Sequence, residues 1–307
     1  MPLTPELENI INILNEGKTI CLLAPSFPVD FAYPQIVIDL KGIGFTKVVE
    51  LTYAAKMINM HYHELIKKDP TKQWICTNCP TVVKYITNKY PQHKDKLIDI
   101  ASPMVIMSRF VKKAYEQSEG VPQGGKYWPD RKTVFVWPCL AKKMEAKESG
   151  DVDEAITFKE LQQIFDHYKE NNIPYKEFSF DVTESGDADF DKFYNDYTKV
   201  FPLTGAVADT LHYRDVLSPD QVLVVDEIKH LDAALDYMEK NPNIKFLDPL
   251  SCPGGCIGWP WIISLAPTEE RVKKIKAYRD HCKKNKMGSK EGKAEYMDGV
   301  DFDNKII

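Results

Sequence analysis

Cys252-Pro253-Gly254-Gly255-Cys256-Ile257-Gly258, near the C-terminal end, constrains this chain more than any other stretch. Two thiols four residues apart on a glycine-rich turn suit a soft metal or an iron–sulfur cluster. The glycines let the backbone adopt positive φ and bring bare N–H groups close to sulfur. Two further cysteines fit the same site. One is Cys79, in Cys76-Thr77-Asn78-Cys79-Pro80, and the other is Cys139, in Trp137-Pro138-Cys139. Together the three segments offer four thiolates for one cage. The competing reading is a set of buried or incidental cysteines.

The rest of the composition says which compartment and which function classes to expect. The chain has 307 residues, 43% apolar and 28% charged, ordinary for a globular protein with a sizeable core. A net charge of −5 argues against a general nucleic-acid binder. The longest apolar run, Trp259–Ala266, is too short to span a bilayer, so no membrane partner is expected. The N-terminus has neither a basic region nor an apolar one, so no signal peptide is expected and a cytoplasmic location is. In the cytosol disulfides are rare, and seven cysteines read better as metal ligands or redox groups.

Periodicity predicts an α/β fold of two lobes, with mostly parallel sheets flanked by helices and the metal cluster in the cleft between them. Thr4-Pro5 opens an N-terminal helix over 1–17. A first lobe, 18–131, carries strands at Thr19–Leu23, Lys47–Leu51 and Gln73–Ile75. Its helices are expected near Phe31–Leu40, Ala54–Lys67 and Thr81–Lys89. Pro80 makes Cys79 the N-cap of the last of these, where the helix dipole lowers a thiol pKa. The Gly- and Pro-rich stretch Ser118–Arg131 is expected to link this lobe to a second, 132–266. There Thr133–Val136 and Gln221–Val225 read as strands. Leu140–Ala146, Phe158–Lys169 (opened by the capping box Thr157-x-x-Glu160) and Leu231–Glu239 read as helices. Asp181–Asp189 reads as an acidic loop, and Asn243–Leu247 leads into the double-cysteine turn. A charged helix, Thr268–Lys284, and a polar tail make up 267–307. Every candidate cysteine falls at the carboxyl end of a strand, where α/β sheets bind ligands.

Zinc is one occupant to weigh, but zinc sites usually pair CxxC units close in sequence, and only one clear pair exists here. A thioredoxin-type reading of Cys76-x-x-Cys79 leaves the distant cysteines unexplained.

Taken together, the motifs resemble the catalytic, H-cluster domain of the [FeFe]-hydrogenases. Cys79-Pro80 matches the family's first cysteine motif. Pro138-Cys139-Leu140-Ala141-Lys142-Lys143-Met144-Glu145 matches its Pro-Cys-x-x-Lys-x-x-Glu, and Cys252-Pro253-Gly254-Gly255-Cys256-Ile257-Gly258 matches the third. Ala24-Pro25-Ser26, Gly44–Val48, Ser102-Pro103-Met104, Gly150–Asp153 and Leu203–Val207 are similar too, so the likeness runs from about Lys18 to Pro260. The resemblance implies a [4Fe–4S] cluster on Cys79, Cys139, Cys252 and Cys256. Cys256 also bridges to a diiron subsite carrying CO, cyanide and a dithiolate. It implies that Lys142 donates to a cyanide, that Glu145 supports Lys142, and that Pro25, Ser26, Met104 and Gly255 lie around the diiron ligands. Reversible reduction of protons to H2 is the implied activity, with ferredoxin or a similar electron carrier and hydrogenase maturation factors as partners.

The departures from that family are as informative. Where its efficient members carry a proton-shuttling cysteine this chain has Asn78, whose amide exchanges no proton near neutral pH, so slow turnover is expected. Trp137 and Leu250 stand where methionines are expected, and Met104 where a glutamine is. Trp259-Pro260-Trp261 replaces a run of glycines. His61, His63 and Glu64 lie on the helix where the family places relay carboxylates, and a histidine titrates in the right range to serve. No ferredoxin-like cysteine set precedes Cys76, so electrons are expected directly from an outside carrier. Lys67-Lys68 and Lys283–Lys293 are candidate docking charges for it. Two alternatives stay open: an H2-sensing module, and a [4Fe–4S] carrier or assembly protein without the diiron subsite.

Overall fold

The computed structural model describes residues 3–118, 131–179, 181–182, 188–191, 198–284 and 299–304. Most of the stretch read as a linker lies outside them. So does most of the polar tail, with the candidate docking charges that follow Lys284.

Nine strands form three sheets among these residues. The strands are β1 (Thr19–Leu23), β2 (Lys47–Glu50), β3 (Trp74–Ile75), β4 (Lys132–Val136), β5 (Glu154–Ile156), β6 (Asp181–Val182), β7 (Ala188–Asp189), β8 (Val222–Val225) and β9 (Phe246–Pro249). The first sheet is parallel throughout, in the order β2-β1-β4-β5. The second is also parallel, in the order β3-β9-β8. A short antiparallel ribbon, β6-β7, takes the place of the expected acidic loop. Both parallel sheets draw strands from either side of residue 131, so that division is one of sequence and not of sheet. Crossing back is what a parallel ladder requires, because each added strand must return through a crossover connection.

Ten helices, among the same residues, cover the sheets. They are α1 (Pro5–Asn15), α2 (Gln35–Ile43), α3 (Thr52–Lys68), α4 (Pro80–Lys89), α5 (Pro103–Ser118), α6 (Leu140–Ser149), α7 (Phe158–Glu170), α8 (Ala206–Thr210), α9 (Leu231–Lys240) and α10 (Thr268–Lys284). Local chemistry starts them where expected. The Thr4 hydroxyl accepts from Leu7 N at 3.4 Å. Thr157 and Glu160 close a complete capping box. α2 begins four residues later than predicted, because Pro34 sits at its N-cap and the preceding residues form a short 3-10 turn, Phe27–Val29. The strands β1 and β4 are buried at every position except the half-buried Lys132, so both faces are covered, as in buried parallel strands.

Two apolar clusters result. The larger surrounds the first sheet and takes in α1, α2, α3, α5 and α7. The smaller packs α4 and α9 on the second sheet through Ile75, Val82, Ile86, Leu231, Leu235 and Leu247. Lys199 and Glu50 form an ion pair wholly inside the larger core, with Thr52 donating to the same Glu50 oxygen at 3.1 Å.

β9 contributes Asp248, 1% exposed, whose carboxyl is pushed up to about 6 by burial. The Ala208 N–H donates to it at 3.1 Å and resists that rise. A carboxyl whose pKa is higher folded than unfolded binds its proton more tightly in the folded chain. Its contribution is therefore favourable at low pH and is lost as pH rises through the window from about 4 to about 6. Asp248→Asn is expected to remove that pH dependence. Denaturant melts of the metal-free protein at pH 4.5 and 7.5 check it. Equal pH dependence in parent and variant contradicts it.

Candidate metal centre

The four candidate cysteines reach one cavity from both parallel sheets. β3 runs out into Cys79, which is the N-cap of α4 with Pro80 at the first helical position. β4 runs out into Cys139, the N-cap of α6. β9 runs out through Leu250 and Ser251 into Cys252, and a 3-10 turn, Cys256–Gly258, follows. Neither cap cysteine uses its sulfur to cap its helix, so both thiols remain turned to the cavity.

The cavity between the thiols offers about 40 Å³ of water-accessible space. Its polar lining is Asn78, Lys142, Ser251 and the four cysteines; Leu51, Met104, Trp137, Phe201, Val207, Leu250 and Trp259 close it. Among the described residues, no three cysteine sulfurs lie mutually within 4.8 Å. Zinc–thiolate bonds of about 2.3 Å keep any two ligands of one ion within about 4.6 Å of each other. The thiols therefore do not fit a single zinc ion. Their spread, from three strand ends across two sheets, fits a polynuclear cluster.

The electrostatics point the same way. Burial, followed by the charge of Cys79, pushes Cys139 up to about 11. Burial also pushes Cys252 up to about 12, with Cys79 and Cys139 adding to it. Cys256 is raised well above the usual thiol range, by burial first and then by all three of the others, and Lys142 alone opposes this. Three thiols so raised become thiolates together only when cations balance them. Bound metal supplies that balance and releases the protons.

The turn carrying Cys252 and Cys256 is built tightly. Gly255 has φ of +92°, and a Cβ there would strike the Pro202 carbonyl and the Leu203 backbone. The Cys256 N–H donates to that same Pro202 carbonyl at 2.7 Å. Asp226 braces the turn from outside, accepting from Gly254 N at 2.7 Å and from the Thr204 hydroxyl at 3.0 Å. With Glu227 and His230 it forms the one carboxylate–imidazole group close enough for an ion among the described residues, but Asp226 is already engaged in holding the turn. Ser251 bonds at 3.4 Å to the Cys79 sulfur and lies 3.5 Å from that of Cys252. Asp226 and Ser251 were not singled out from the sequence. Only the Ser-Cys adjacency at 251–252 hinted at the second.

Lys142 is 6% exposed. Its ammonium donates to the Asn78 carbonyl at 3.1 Å and pairs with Glu145 at 2.6 Å. The Asn78 carbonyl takes one of its three donors by a hydrogen bond and Glu145 faces it as an ion pair, which leaves donor capacity for the cavity it lines. Glu145 pairs with Lys142 and does not itself line the cavity. Asn78, 8% exposed, lines it beside Cys79. The Tyr62 hydroxyl donates to the Asn78 side-chain oxygen at 3.4 Å, a contact the α3 sequence concealed between His61 and His63.

Met104 and Gly255 line the cavity as expected; Pro25 and Ser26, just past β1, are buried but do not. The three candidate relay residues are also elsewhere. His61 packs on Phe302 with ring centres 4.0 Å apart. His63 and Glu64 line a separate surface groove with Lys56 and His212. Cys76 is buried behind the site, 3.9 Å from the Tyr62 hydroxyl. Cys21 and Cys282 are core residues.

Comparison with known proteins places the fold. Solved [FeFe]-hydrogenase structures share the fold. One concerns oxygen inactivation through degradation of the H cluster 2Fe subcluster, with TM-score 0.67, 14% identity, and coverage of 90% of this chain and 88% of that one. Another, from Chlamydomonas reinhardtii, has TM-score 0.66 and 15% identity, with the same coverage. Iron hydrogenase 1 of Clostridium pasteurianum is 23% identical over 88% of this chain and 55% of its own length. The NADP-reducing hydrogenase subunit HndD of Solidesulfovibrio fructosivorans is 24% identical over 71% of this chain and 43% of its own. The chain thus spans about half the length of these curated relatives. Among the described residues no helix is long and apolar enough to cross a membrane. The family description "Iron only hydrogenase large subunit, C-terminal domain" matches residues 17–260, which hold all four cavity cysteines, and the chain belongs to that family.

Proposed function

We propose that the chain is an [FeFe]-hydrogenase catalytic domain that reversibly combines two protons and two electrons to H2. The observation that carries this reading is the meeting of four thiols, too widely spaced for one ion, with the buried ammonium of Lys142 in one apolar cavity. Cys79, Cys139, Cys252 and Cys256 would hold a [4Fe–4S] cluster, with Cys256 the residue that would also hold a diiron subsite carrying CO, cyanide and dithiolate ligands. When bound, that group supplies the redox and H2 chemistry.

The protein's own residues orient and insulate it. Lys142, fixed by Glu145 and the Asn78 carbonyl, directs its remaining donor capacity to an electron-rich ligand. Met104, Trp137, Phe201 and Leu250 keep water from the site, which strengthens every electrostatic contact inside. Asn78 holds the place of the family's proton-shuttling cysteine, and a neutral amide cannot pass a proton near pH 7, so proton delivery limits turnover. Electrons come from ferredoxin or a similar carrier, and hydrogenase maturation factors load the diiron subsite. The cytoplasm provides both.

The missing shuttle also favours a second reading, an H2-sensing module that binds without sustained turnover. An H2-evolution assay of the matured protein with a low-potential electron donor separates the two. Slow but sustained evolution is expected. No evolution from protein carrying the loaded diiron group would leave the sensor.

A further inference from the structure

Trp259 presents a feature that the family resemblance does not explain. It ends the 3-10 turn that begins at Cys256, and its ring lines the cavity beside Cys252, Gly255 and Cys256. Its indole nitrogen is shielded from solvent and has no hydrogen-bond partner. The side-chain nitrogen of Asn78, on the same cavity, is in the same position. The Tyr62 bond to the Asn78 oxygen sets which end of that amide faces inward. By contrast, the indole of Trp74 is satisfied by the Asp69 carbonyl at 3.1 Å.

Buried donors are almost always paired, so two orphans on residues that line one cavity call for an acceptor supplied from outside the protein. The surrounding wall of Leu51, Pro103, Met104, Phe201 and Val207 offers none from its side chains. The turn is also held in place. Arg271 donates to the Ile257 carbonyl at 2.7 Å, Ile262 N to the Trp259 carbonyl at 3.1 Å, and Lys159 to the Pro260 carbonyl at 3.0 Å. The indole is therefore positioned by several elements and not left to swing.

We propose that Trp259, with Asn78, donates a hydrogen bond to an electron-rich atom of the group held by the four thiolates. The acceptor is a thiolate, an inorganic sulfide or a cyanide. This rests on the reading of the cavity as a cluster site. Such bonds strengthen as the group gains negative charge on reduction, so they raise its reduction potential. Trp259 thereby partly replaces the tuning lost where the usual polar and methionine neighbours are absent.

The test is a redox titration of the chain reconstituted with iron and sulfide, followed by EPR, for the parent, Trp259→Phe and Trp261→Phe. Phenylalanine keeps the apolar wall and removes only the N–H. Trp259→Phe is expected to shift the midpoint to more negative potential, while Trp261→Phe, outside the cavity, leaves it unchanged. Asn78→Ala gives the same direction and serves if Trp259→Phe does not fold. Bound iron and sulfide with an unshifted midpoint in both cavity variants overturns the proposal and leaves the cluster assignment standing. Failure of the parent to bind iron and sulfide overturns both. Infrared spectra of the matured proteins add an independent readout: any CO and cyanide bands should move in Trp259→Phe and hold still in Trp261→Phe.

Discussion

Cys256→Ala is expected to abolish the CO and cyanide infrared bands and reduce H2 turnover to background. Among the four thiols Cys256 stands at the electrostatic centre: its pKa is raised by each of the other three and lowered by Lys142. Its backbone is pinned through the Pro202 carbonyl. Alanine removes the one atom proposed to join cluster and diiron subsite and leaves the turn's glycines and its Asp226 brace intact. The fold should therefore survive, as near-unchanged thermal unfolding of the metal-free variant would show. Retention of CO and cyanide bands in this variant would refute the assignment of Cys256 as the bridge.

The second large effect is a gain. Asn78→Cys is expected to raise H2 turnover by about two to four orders of magnitude, the usual contribution of a placed proton donor. The new thiol enters a position already lining the cavity, beside Cys79 and next to the carbonyl that Lys142 holds. Cysteine is smaller than asparagine, and the site needs no rearrangement to admit it. Turnover at the parent's rate, in a variant that folds and loads normally, would show that the amide is not what limits proton delivery.

Much of the site was readable because its chemistry is local. A cysteine directly followed by proline after a short strand, as at Cys79-Pro80, announces both the strand end and the helix start. Lys142 and Glu145 follow Cys139 at helical spacing, and their i,i+3 ion pair follows from that spacing alone. The capping box at Thr157 and the charged helix Thr268–Lys284 were legible for the same reason.

What escaped depends on contacts distant in the chain. The sheet orders, which interleave strands from both sides of residue 131, are set by packing that no window of sequence contains. β5 is three residues long and exists through its pairing with β4. Ser102-Pro103 was a usable start signal for α5 and was read only as a motif fragment. Asp226 reaches the double-cysteine turn from 28 residues away. Conversely, His61, His63 and Glu64 looked suited to proton relay by type, yet the turn of α3 carries them away from the cavity and leaves Tyr62 facing Asn78.

The central claim is that the cavity holds a diiron group joined to a [4Fe–4S] cluster. The most direct measurement is an anaerobic infrared spectrum of the protein matured with hydrogenase maturation factors, scanned for CO and cyanide stretches with and without H2. The account predicts such bands, and predicts that they shift under H2. Bound iron and sulfide without any CO or cyanide band would contradict it and leave a plain iron–sulfur protein.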